Sequence, residues 1–248
     1  LNRNIKVTAV SYLNTKPLLY GIQRHPILQQ IDLSLAYPSR IALQLQEDTT
    51  DVGLVSTAAL LTIPNATIIT DYCIAASGKV ASVCIYSKRP LAQVNKIYLD
   101  YQSRTSVKLA EILLKHYWKK EVLLLPAPEN FMDLIEDTTA AVIIGDRALK
   151  ANHQFEYVYD LAEHWKAFTG YDFVFAAWIA NKALPETFIQ QFGEANALGL
   201  QHIDAVIAEN PFPEYSLDTY YRENIQYVLD EDKRKGLNLF LNYLKEMA

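Results

Sequence analysis

Residues 5–61 repeat one device three times: a short β-rich run, a hydroxyl-bearing residue, then an amphipathic stretch. Residues 5–10 read as a strand, and Thr15 as the cap of a helix starting at Lys16-Pro17, since proline is tolerated in a first turn. Residues 31–36 form a second strand, with Ser39 capping a helix over 40–46. Residues 51–55 form a third, followed at once by Ser56-Thr57 and a short helix to Leu61. Strand–cap–helix units in this succession build a sheet with parallel strands, so the chain is α/β.

From Thr67 the texture changes to two longer β runs, 68–74 and 80–86, joined by Ser77-Gly78. A new series then begins, with strands at 96–99, 121–125 and 140–144 and a helix over 103–118. In that helix Leu109, Ile112, Leu113 and Tyr117 share one face. Residues 173–180 form the last clear strand. The tail from Leu184 reads as helical, over 187–208, 216–227 and a final helix buried through Leu237, Phe240, Leu241 and Leu244. Two βα sets with two crossings predict a two-lobed α/β fold with a ligand cleft between the lobes. One lobe is expected over 1–88 plus 175–248 and the other over 89–174, joined near 86–96 and 170–180.

Composition removes most other classes. Lys and Arg total 23 against 28 Asp and Glu, and the basic residues are scattered, so nucleic acid is not an expected partner. No run approaches the ~20 apolar residues of a membrane span. The opening Leu1-Asn2-Arg3-Asn4-Ile5 carries no hydrophobic export stretch, and a cytoplasmic protein is expected. Cys73 and Cys84 lie in apolar runs, as buried thiols of a reducing compartment do. With only eight glycines, no G-x-G-x-x-G and no Walker loop, a nucleotide cofactor is not expected. The histidines His25, His116, His153, His164 and His202 lack ligand spacing, so no metal is expected either. His116 reads as a packed boundary residue.

What remains is a set of hydroxyl and amide residues where strands end and helices begin: Ser11, Tyr12, Asn14 and Thr15; Ser56 and Thr57; Gln102, Ser103, Arg104, Thr105 and Ser106. Helix N-termini present unpaired N–H groups and the positive end of the dipole, and in open α/β sheets ligands sit at these strand ends. Each residue taken singly is equally an ordinary cap. Together, with Arg104 among them, they suit a carboxylate held by a net-acidic protein. Ser82 is a further candidate donor, and Tyr12, Tyr171 and Phe173 are candidate walls. Lys16 occupies a first turn, where the dipole disfavours a cation, which points to a ligand or an acidic partner. Arg40 and Arg147 read as surface residues.

The run Val10-Ser11-Tyr12-Leu13-Asn14-Thr15-Lys16-Pro17-Leu18 resembles the N-terminal signature of chorismate dehydratases, enzymes of the futalosine route to menaquinone. The resemblance continues through Asp51-Val52-Gly53-Leu54-Val55, Asp100 with Ser103-Arg104-Thr105-Ser106, Gly145-Asp146, and Thr169-Gly170 with 173–178. It departs at Tyr171-Asp172, where the family tends to have Leu-Pro. The resemblance implies a type II periplasmic-binding-protein-like fold and cofactor-independent loss of water from chorismate. It also brings Gly145, Thr169 and Gly170 into the expected site, with Asn14 and Asp146 in catalytic roles. The base is either the substrate's own enolpyruvyl carboxylate, oriented by Asn14, or Asp146, which equally suits a helix start at Arg147. A solute-binding protein for a small carboxylate is the competing class. The sister dihydroxynaphthoate synthase is a third, although its family opens on a different block.

Overall fold

The computed structural model describes residues 3–100 and 102–247, so Leu1-Asn2 of the opening run lies outside the described residues. The chain forms β1 (Ile5–Ala9), α1 (Lys16–Arg24), β2 (Ile31–Leu35), α2 (Pro38–Gln46), β3 (Val52–Ser56) and β4 (Thr67–Ala76). There follow β5 (Val83–Ser87), β6 (Lys96–Leu99), α3 (Arg104–Ile112), β7 (Leu123–Pro126), β8 (Thr139–Ile144), α4 (Asp146–Ala151), β9 (Tyr157–Asp160) and α5 (Leu161–Thr169). The chain closes with β10 (Phe173–Ala180), α6 (Glu186–Leu200), α7 (Ile203–Glu209), α8 (Leu217–Thr219), β11 (Gln226–Val228) and α9 (Glu231–Glu246).

The strands make two mixed sheets, ordered β11-β4-β10-β3-β1-β2 and β7-β6-β8-β5-β9. Within the first, β1 runs parallel to β2 and β3, while β10 lies antiparallel to β3 and β4. In the second, β6 runs parallel to β7 and β8, and β5 is antiparallel to β8 and β9. Residues 77–82 cross from the first sheet to the second, and residues 170–172 cross back.

The first crossing falls earlier than expected. Residues 83–87, assigned from sequence to the first lobe, pair in the second sheet. The run 80–86 is not one strand because the chain turns at its start: Ala81 has φ +62°, and the amides of Val80 and Ala81 donate to Asp160 at 2.9 and 2.7 Å. Two helix starts also differ. A 3-10 turn, Leu13–Thr15, leads into α1, closed by the Thr15 N–H on the Tyr12 carbonyl at 3.0 Å. Thr15 is therefore already helical, and its hydroxyl donates to Asn14 Oδ1 at 3.2 Å instead of capping. Helix α2 starts at Pro38, whose fixed φ suits the first helical position, so Ser39 lies inside it and caps nothing.

The long helices expected elsewhere are broken. The helix that begins at Arg104 becomes π-helical over Leu113–Tyr117, and the stretch 187–208 is interrupted at Gln201-His202. Residues 216–227 hold a short helix, a π turn over Tyr220–Asn224, and then β11, which pairs with β4.

Helix α1 crosses α6 with backbones in contact: a Cβ on Gly21 would sit 1.9 Å from the Ala195 carbonyl oxygen, and one on Gly199 1.8 Å from that of Pro17. Only glycine permits this approach, and it fixes α1 against α6. At the return crossing Trp165, Phe173 and Phe240 are fully buried, with Phe173 ring contacts of 5.4 and 5.0 Å to the other two. They tie α5, β10 and α9 together, so the crossing is packed and not a tether. Cys73 and Cys84 are free and buried, and His116 packs beside Tyr243 with ring centroids 5.0 Å apart. Among the described residues no helix is long and apolar enough to cross a membrane.

Candidate functional site

A cavity lies between the sheets, partly open to solvent. Its polar lining comes from Tyr12, Asn14, Thr15 and Ser56 on one side, Ser82 on the crossing, and Ser103 and Ser106 on the other side. Val10, Leu54, Ile74, Val83, Ile144 and Phe175 form much of the apolar wall. No described lining residue carries a charged side chain.

Each donor is held by a second contact. The Tyr227 hydroxyl donates to the Asn14 carbonyl at 3.0 Å and fixes the turn that enters α1. The Tyr12 hydroxyl donates to Gln102 Oε1 at 2.6 Å, linking the two lobes. Its ring covers Gly145, where an added Cβ would lie 3.5 Å away and the backbone φ is +64°. Ser56, at the end of β3, bonds the Thr105 hydroxyl and accepts the Thr105 N–H at 3.2 Å. Ser103 caps α3 by accepting the Ser106 N–H at 3.2 Å, and the two serine hydroxyls are 3.0 Å apart. Ser82 accepts from the Tyr220 hydroxyl at 2.8 Å, while its carbonyl accepts the Gly145 N–H at 2.8 Å.

Charges stand behind the wall and compensate one another. The buried Asp100 carboxylate meets Arg147 at 2.7 Å; burial raises its pKa and the guanidinium opposes the rise. Asp146 Oδ1 accepts the Leu13 N–H at 3.0 Å; burial pushes this carboxyl up, against the Leu13 amide and the charges of Lys16 and Lys150. Burial also raises the phenols of Tyr12 and Tyr220, so both stay protonated at neutral pH and remain able to donate.

The structure thus brings together Tyr12, Asn14, Thr15, Ser56, Ser82, Ser103, Ser106 and Gly145. It places the other expected residues outside the lining. Ser11 and Arg104 are exposed. Thr57 is buried and donates to the Val174 carbonyl at 2.8 Å, and Thr105 stands behind Ser56, where it accepts the Ala58 N–H at 3.0 Å. Asp146, the first residue of α4, holds the Leu13 amide and does not reach the lining. Thr169 and Gly170 end α5: the threonine donates to the Trp165 carbonyl at 2.8 Å, and the glycine takes the left-handed cap position at φ +80°. Tyr171 sits on the surface and Phe173 in the aromatic core, so Phe175 is the phenylalanine that reaches the cavity. Arg147, expected at the surface, is half-buried by its pair with Asp100. Sequence reasoning missed Tyr220 and Tyr227 because the stretch that carries them reads as an ordinary amphipathic helix.

Two mixed sheets that exchange the chain twice, with a cavity between them, make a fold of the periplasmic-binding-protein-like class. A crystal structure from Archaeoglobus fulgidus is similar at a TM-score of 0.73 and 12% identity, covering 98% of this chain and 97% of that one. The periplasmic aliphatic sulphonate binding protein SsuA of Escherichia coli is similar at 0.64 and 14%, covering 99% and 92%. Within that class, the menaquinone biosynthesis family model matches residues 5–246, and the chain belongs to this family. Chorismate dehydratase of Thermus thermophilus is 26% identical over 266 residues, spanning 94% of this chain and 92% of the relative.

Proposed function

We propose that the protein is a cytoplasmic lyase that dehydrates chorismate to 3-[(1-carboxyvinyl)oxy]benzoate. The observation that carries this reading is the ring of neutral donors around the cavity, in a chain of the menaquinone biosynthesis family. Chorismate is a dianion, and its two carboxylates need N–H and O–H partners where water is excluded. The hydroxyls of Ser103 and Ser106 at the start of α3 offer one set, and Ser56 with the side-chain N–H of Asn14, whose Oδ1 is held by the Thr15 hydroxyl, another. Apolar walls then sandwich the ring.

In this reading the enolpyruvyl carboxylate of the substrate removes the ring proton, with Asn14 holding it in position. The C–H electron pair becomes a ring double bond, the neighbouring C–O bond breaks, and the departing hydroxide takes up a proton to leave as water. The ring becomes aromatic, which makes the step strongly favourable. The protein has only to hold a reactive conformer and assist the leaving oxygen. The bond from Asp146 to the Leu13 amide favours a positioning role for that carboxylate over the role of base.

Incubation with chorismate alone, followed by absorbance and mass, tests the proposal. The expected result is an aromatic product 18 mass units lighter, about the mass of one water, from one substrate and no added cofactor. Unchanged chorismate beside tight binding overturns it in favour of a solute-binding protein.

A further inference from the structure

We propose that Tyr220, a residue behind the cavity wall, is a positioning residue that fixes Ser82 as a hydrogen-bond donor toward the bound acid. The inference rests on the reading of the cavity as the chorismate site. A serine hydroxyl has one proton to give and two lone pairs to accept with, so by itself Ser82 could turn either way. Here its oxygen is occupied: the Tyr220 hydroxyl donates to Ser82 Oγ at 2.8 Å, both residues being buried. A phenol is the stronger acid of the two and the better donor, which leaves the serine proton to go elsewhere. No other partner of the Ser82 hydroxyl is seen among the described residues, and the side chain borders the cavity at 1% exposure.

The backbone of Ser82 gives it little freedom to swing away. Its carbonyl accepts the Gly145 N–H at 2.8 Å, and the two preceding amides are held by Asp160 at 2.9 and 2.7 Å. Burial raises the Tyr220 pKa, so the phenol does not lose its proton near neutral pH. Tyr220 itself lies in the π turn Tyr220–Asn224, wedged between Tyr215 and Tyr221 with ring centroids 6.1 and 5.7 Å away. Its hydroxyl therefore reaches Ser82 from a rigid seat. A donor fixed in advance loses no orientational freedom when the ligand arrives, and acts best on charge that develops in the reaction.

The test is a two-by-two set, wild type, Tyr220→Phe, Ser82→Ala and the pair, with kcat and KM measured on chorismate. Tyr220→Phe keeps the ring and is expected to lower kcat/KM about tenfold, the order of one buried hydrogen bond. Ser82→Ala is expected to cost at least as much. On the Ser82→Ala background Tyr220→Phe should change kcat/KM by about twofold or less, because the residue it aimed is gone. A second full loss on that background, or a harmless Ser82→Ala, overturns the inference while leaving the dehydratase reading in place. A wild type that leaves chorismate unchanged overturns that reading and this inference with it. Should Tyr220→Phe not fold, a structure of the wild-type protein soaked with chorismate decides instead. Ser82 Oγ within ~3 Å of both Tyr220 Oη and a ligand oxygen supports the proposal, and a ligand with no polar atom near Ser82 overturns it.

Discussion

Ser56 ends a central strand of the first sheet, Thr105 opens a helix on the second, and their hydroxyls bond one another across the cleft. Each hydroxyl also takes a backbone N–H: Ser56 that of Thr105 at 3.2 Å, and Thr105 that of Ala58 at 3.0 Å. Three links thus close the back of the cavity, and Tyr12 to Gln102 adds a fourth contact between the lobes. Thr105→Val keeps the volume but leaves the Ala58 amide and the Ser56 hydroxyl short of a partner, at a cost of about 1–3 kcal/mol. With one of these links lost, the two lobes should separate more readily. KM for chorismate is expected to rise about tenfold with kcat changed much less, and the radius of gyration from small-angle scattering should grow. An unchanged KM would show that the pair does not hold the lobes together.

Asp146 separates two mechanisms. Its carboxylate accepts the Leu13 amide, a bond that an asparagine oxygen can also accept. If the substrate supplies the base, Asp146→Asn keeps the loop in place and turnover stays near normal. A drop of ~10³-fold or more in kcat with binding intact would instead make Asp146 the base.

Among the described cavity residues, Gly145 is the one whose backbone disfavours a side chain. At φ +64° and ψ −147° it lies in a region open essentially to glycine alone. Gly145→Ala is expected to cost about 1–3 kcal/mol in chemical denaturation. It should also loosen the Gly145 N–H bond to the Ser82 carbonyl, so kcat/KM should fall by more than stability alone accounts for. A variant as stable and as active as the parent would remove Gly145 from the site.

The parts of the site legible in the sequence are those where one residue type serves one local geometry. Ser103 followed by Ser106 before an apolar face is a cap in the sequence and a cap in the structure. Ser56 at the end of an apolar strand lies at the cleft because parallel strands end there. Where a local signal had two explanations, three-dimensional packing decided. Phe173 and Phe175 are alike in sequence, but Trp165 and Phe240 claim the first. The lobe boundary was hidden because Ser77-Gly78 looks like a hairpin, while the turn that sends β5 into the other sheet depends on Asp160, some eighty residues further on. Tyr220 and Tyr227 were invisible for the same reason. Their partners Ser82 and Asn14 are distant in sequence, and no spacing rule connects them. The Tyr171-Asp172 departure from the family pattern falls away from the cavity: Asp172 pairs with Lys166 at 2.6 Å and faces Lys233 at 3.6 Å.

Asp51 sets a pH limit on the fold that is independent of the site. It stands just before β3, where burial alone would raise its pKa. That effect is outweighed by Arg3 at 2.7 Å, the Lys6 N–H at 2.9 Å and Lys182 at 3.0 Å, which together hold the carboxyl at about 2. A carboxyl whose pKa is lower folded than unfolded stabilises the protein fully above its unfolded value. That contribution is lost as pH falls through the interval toward the folded value. The window here runs from about pH 4, the unfolded carboxylate value, down to about 2. Stability should therefore be level with respect to this group from neutral pH to about pH 5, then decline. Asp51→Asn removes the charge but keeps the shape, and should cost on the order of 1–2 kcal/mol at pH 7, after allowing for solvent around Arg3. Its cost should shrink as pH falls toward 2 and vanish below it, where the parent loses the same ion pairs. Urea titrations of both proteins at several pH values measure the difference, and an equal cost at pH 3 and pH 7 would mean that packing, and not charge, holds this corner together.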